Sequence, residues 1–87
     1  MFSLSQNYPN PFNPSTSINY SLVKPGFVQL KIYDIRGKVV KSFINDFMNA
    51  GNYTLDIDDV SLNSGTYIYS LLYDQLIIDS KRMVYLK

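Results

Sequence analysis

Seven acidic residues, all aspartate, and no histidine, cysteine or glutamate narrow the chemistry this chain can perform. Without histidine there is no imidazole base for a nucleophilic triad and no imidazole ligand for zinc; without cysteine there is no thiolate, and no glycine-rich run forms a phosphate loop. Ser80 and Lys81 are neighbours, and neighbouring side chains in a strand point to opposite faces, so they cannot work as a dyad. Asp56, Asp58, Asp59 and Asn63 offer oxygens that calcium accepts, but the spacing is not that of an EF-hand loop and the closing glutamate is missing, which favours a solvated loop. Tyr33, Tyr69 and Tyr85 would stack on sugar rings if exposed in one patch. Tyr67, Tyr69, Leu71 and Tyr73 fall on one face of a strand, where core packing with hydroxyls at the rim is the preferred reading. Lys81, Arg82 and Lys87 form a basic end that discourages edge-to-edge pairing. No catalytic residue, cofactor or metal site is expected, and no basic patch interleaved with aromatics points to nucleic acid.

The elements that hold these residues are read from pattern. The 87 residues make one domain, 1–87, and 46% hydrophobic with 15% aromatic content is more than a disordered tail carries. A formal charge of +1 gives no field for steering to nucleic acid or an anionic membrane. No apolar run approaches the ~20 residues that span a bilayer, so no membrane insertion is expected. The first residues lack the order of a signal peptide, so any export signal is expected in a preceding segment.

Residues 7–16 carry Pro9, Asn10, Pro11, Phe12, Asn13 and Pro14. Each proline fixes φ, removes a donor and pushes its predecessor out of the helical region, so this is an extended, ordered loop, with Tyr8 and Phe12 expected to pin it to a core. A rigid loop at a sandwich edge would also block edge-to-edge aggregation. Beyond it the period is two: Ile18, Tyr20 and Leu22 alternate with polar residues, as do Val28, Leu30 and Ile32. Lys24, Pro25 and Gly26 join these strands as a turn. A further hairpin is expected around Asp34 and Gly37, with Gly37 at the positive-φ position.

An apolar pattern resumes over 39–47 and reads as a strand. A short helix over 39–48 is the alternative, because Val40, Phe43, Ile44 and Phe47 stand at helical spacing. Tyr53, Leu55 and Ile57 alternate again; 58–65 is a polar loop with Val60 and Leu62 as plugs; 66–73 and 76–86 are strands joined at Asp74 and Gln75. With a short leading strand over 2–6 the count is about seven. Such spacing without helical period predicts an all-β, immunoglobulin-like antiparallel β-sandwich, though without that class's cysteine pair and tryptophan.

Four motifs in order carry a resemblance: Tyr8-Pro9-Asn10-Pro11-Phe12-Asn13-Pro14, then Tyr33-Asp34 with Gly37, then Leu62-Asn63-Ser64-Gly65-Thr66-Tyr67, and last the basic-apolar-basic run Lys81-Arg82-Met83-Val84-Tyr85-Leu86-Lys87. Together they resemble the type IX secretion system C-terminal sorting domain, type A, over about residues 4–87. The resemblance implies a non-catalytic address at the end of a larger secreted protein. By the same resemblance it would be read by an outer-membrane translocon and then removed by a sortase-like peptidase. The cargo would cross the periplasm and end at the cell surface or outside the cell. Under that resemblance Gly65, Thr66, Tyr67, Lys81, Arg82 and Lys87 are the expected translocon contacts, while Pro9 to Pro14, Asp34 and Gly37 are structural. Two departures stand out: Ile57 where the family often has an aromatic, and Asn63 where it often has alanine. An accessory carbohydrate-binding or structural spacer sandwich is the alternative, and the terminal edge leaves weak homodimerisation open.

Overall fold

The computed structural model describes residues 2–12, 14–58 and 61–86. Asn13, Asp59, Val60 and Lys87, all named above, lie outside the described residues. Seven strands appear in chain order: β1 (Ser3–Leu4), β2 (Thr16–Leu22), β3 (Gly26–Tyr33), β4 (Val39–Met48), β5 (Gly51–Ile57), β6 (Gly65–Tyr73) and β7 (Leu76–Tyr85). They form two antiparallel sheets, ordered β1-β2-β5 and β4-β3-β6-β7, packed face to face as an immunoglobulin-like sandwich.

The alternation seen in the sequence is the sheet's inside and outside. Ile18, Tyr20 and Leu22 of β2 and Ile57 of β5 are buried against Val28, Leu30 and Ile32 of β3, Tyr69 and Leu71 of β6, and Met83 and Tyr85 of β7. Each such apolar side chain removed from water contributes about 1.5–3 kcal/mol, which is how a chain this short repays its ordering entropy without disulfides.

Register corrects one local expectation and explains a second feature of the sequence. The turn at Lys24 and Pro25 does not close a hairpin: β2 belongs to one sheet and β3 to the other, so the chain crosses the sandwich there. Residues 39–48 are a strand, and the helical spacing within it has a physical source. Register shifts fall between Leu30 and Lys31 and between Ile32 and Tyr33, leaving Phe43 and Val40 of β4 as extra residues without a cross-strand partner. A bulge puts two consecutive side chains on one face, and so Phe43 and Ile44 both pack against the core.

Candidate functional site: the motif pole

The proline loop lies along the outer edge of β7. The Phe12 N–H donates to Val84 O and the Leu86 N–H donates to Phe12 O, both at 3.0 Å. The Val84 N–H donates to Asn10 Oδ1 at 2.9 Å, and Gln6 Nε2 donates to Arg82 O at 2.5 Å. Arg82 and Val84 of this edge strand and Leu86 just past its end are alternate residues whose backbone groups point outward, and the N-terminal segment meets all three. Such occupation removes the pairing template that a bare edge presents. The loop is itself anchored. Phe12 is buried to 2% exposure and its ring stands 5.0 Å from that of Tyr85. Buried Asn7 donates through Nδ2 to Thr16 Oγ1 and Pro9 O, and Thr16 Oγ1 donates to Pro9 O. Pro9 and Pro11 follow cis peptide bonds, and Pro9, Asn10, Pro11 and Pro14 are exposed. The expectation for Tyr8 is corrected: its ring is 82% exposed, and it is the Tyr8 backbone, paired with Ser17, that ties the chain down.

The second motif is the β3–β4 hairpin. Asp34 builds it by accepting at Oδ1 from the Arg36 and Lys38 N–H groups, at 2.9 and 3.0 Å, while the Gly37 N–H donates to Asp34 O. The Lys38 amide first, with smaller help from Arg36, holds the Asp34 carboxyl below the usual carboxylate range. Gly37 has φ +88°, the positive angle expected for it.

The third motif turns the chain from β5 into β6. Gly65 has φ +155° with nothing within 4 Å of where a Cβ would stand, so the backbone angle rather than crowding calls for glycine. Near the start of β6, the Tyr67 hydroxyl donates to Asn63 O at 2.7 Å, four residues back in the loop before the strand, which is a tyrosine corner. The Tyr67 ring is buried and Leu62 packs beside the core, as a plug should.

Register brings these motifs to one end of the sandwich. Gly65 pairs with Tyr85, Phe12 bridges Tyr85, Tyr33 pairs with Ile68, and shallow hollows flank the Asp34 hairpin where it meets Ser61, Asn63, Gly65 and Thr66. Gly65, Thr66, Asp34, Gly37 and the proline loop therefore share a pole. Lys81 and Arg82 stand further along β7, opposite Tyr69 and Ile68. Lys81 lies on the core-facing side of the strand with its ammonium 3.7 Å from Asp79, whereas Arg82 is exposed on the outer face. Inward-facing charge of this kind guards the part of the β7 edge beyond the loop.

The rings of Tyr69 and Tyr85 are buried and Tyr33 is half-buried, so these three form no sugar-stacking patch. Asp56 accepts from Ser17 Oγ, and among the described residues no cluster of three or more aspartates could hold a metal ion.

The immunoglobulin-like sandwich thus brings its N-terminal proline loop, its β3–β4 hairpin and its terminal strand to one pole. The model of the secretion system C-terminal sorting domain matches residues 6–85, nearly the whole chain, and the chain belongs to that family, the sorting domains of the type IX secretion system. No curated protein and no solved structure matches it. Membership makes the domain a secretion-sorting signal of a protein exported to the cell surface or the extracellular space.

Proposed function

We propose that the motif pole and the adjoining part of β7 are what the outer-membrane translocon reads, with Gly65, Thr66, Arg82 and the basic residues Lys81 and Lys87 as the contact set. Tyr67 serves it from beneath, by fixing the backbone at Asn63. The cargo reaches the translocon through the periplasm, and a sortase-like peptidase removes the domain after passage. The domain itself performs no chemistry. The observation that carries this reading is the convergence of sequence-distant motifs, Phe12, Asp34, Gly65 and Tyr85, on one end of the fold. A core needs buried side chains everywhere; it does not need its turn motifs gathered on one surface.

The test is a reporter behind a signal peptide, fused to residues 1–87, in a strain that has the translocon. Removing residues 81–87 is expected to leave the reporter in the periplasm. Because that deletion also removes Met83 and Tyr85 from the core, Arg82→Glu is measured beside it, and is expected to lower surface delivery with the fold intact. Equal delivery by all three chains would refute the reading.

A further inference from the structure

The Asp34 hairpin carries more than its geometry requires. The turn is closed by the Asp34 carboxylate and by Gly37, and both spend themselves on backbone hydrogen bonds or backbone angle. Ile35 has no part in that bonding, yet an isoleucine is held at the tip 75% exposed. Beside it the Arg36 side chain is 82% exposed, with its guanidinium 3.4 Å from Asp34, and Lys38 is exposed on the far side of Gly37. Lys41 donates to Ser61 Oγ at 3.4 Å. Over residues 34–41 three cations face one carboxylate, and that carboxylate is engaged inside the turn. The hairpin is thus a ridge beside two hollows that separate it from residues 61–67, with an apolar tip and a cationic flank.

We propose that this ridge, through Ile35, Arg36 and Lys38, is the docking contact of the motif pole, and that its partner is a protein surface with carboxylates arranged around an apolar socket. The proposal rests on the sorting reading above and adds residues to it. An arginine beside one apolar anchor is the composition of an interface hot spot, where burial of the anchor shields the charged contact from water. Charge complementarity selects an acidic partner and speeds its encounter. A lipid surface fits less well, since anionic headgroups are held by clusters of about four to eight basic residues and this ridge has three.

The experiment uses the same reporter fusion with the full chain. Arg36→Glu combined with Lys38→Glu, and separately Ile35→Ser, is expected to cut surface delivery by about tenfold or more, the scale of a lost hot-spot contact. Arg36→Lys is expected to lose less delivery than the charge-reversed chain, because it keeps the long-range charge while giving up the planar guanidinium contact. Thermal melting of each purified chain should match the parent, since these side chains are solvent-exposed. Parent-like delivery by the charge-reversed chain, when removal of all 87 residues abolishes delivery, would overturn the ridge and leave the sorting reading standing. Unchanged delivery on removing the whole chain would overturn both. Flotation of the purified chain with phosphatidylglycerol vesicles, lost on charge reversal, would also overturn the proposal by assigning the ridge to lipid.

Discussion

Phe12 and Tyr85 are bridged in parallel, with their rings 5.0 Å apart, although one belongs to the first loop and the other ends the last strand. Their contact makes the N-terminal motif and the terminal strand a single piece of structure. Phe12→Ala is expected to destabilise the domain by about 3–5 kcal/mol, the usual cost of emptying a buried aromatic site and a large share of a small domain's stability. Urea unfolding followed by circular dichroism measures it. Amide exchange at Leu86 should speed up with it, and retained protection there would mean the loop does not hold the strand.

Asn10→Ala removes only the acceptor of the exposed Val84 N–H. Water can replace that acceptor, so a loss of about 0.5–1.5 kcal/mol is expected, well below that of Phe12→Ala. The same urea series gives the comparison.

At the tyrosine corner, Tyr67→Phe keeps the ring and deletes the hydrogen bond to Asn63 O. A cost of about 1 kcal/mol is expected in unfolding free energy, together with faster exchange in the loop leading to Gly65. Gly65→Ala should cost about 1–3 kcal/mol through its φ of +155° alone, since no neighbour obstructs the added methyl.

The fold should also lose stability in alkali. Burial first, and then the negative charge of Asp79, pushes the Tyr69 phenol up to about 12, with the Asn7 amide partly offsetting them. Burial, aided by Tyr53, also raises Tyr20. A raised phenol favours the neutral, folded form. Its contribution is complete below about pH 10, where unfolded tyrosine titrates, and is lost as pH climbs from about 10 through 12. Urea midpoints across that range, read with tyrosinate absorbance at the same pH, should fall as the phenols ionise; a flat profile would contradict the burial argument.

Much of this architecture is legible along the chain because strands with one buried face write their alternation into it, as at Ile18, Tyr20 and Leu22. Register is not written there. The bulges in β4 come from how Phe43 and Val40 fail to find partners on β3, and in the sequence they imitate a helix. The turn at Lys24 and Pro25 looks like a hairpin because sheet membership is decided by distant strands. The proline loop reads correctly as a non-helical, ordered segment suited to an edge, but which edge it covers depends on Val84 and Leu86, far along the chain. At the pole, Asp34, Gly37 and Gly65 are visible as turn chemistry. The ridge formed by Ile35, Arg36 and Lys38 becomes apparent only once exposure and the neighbouring loop are known.

The central claim is that these residues carry the address. It is tested most directly by the fraction of reporter accessible at the cell surface, with and without residues 1–87, in a strain that has the type IX translocon. Surface exposure with the chain and periplasmic retention without it is the predicted result. Equal surface exposure in both would contradict the account.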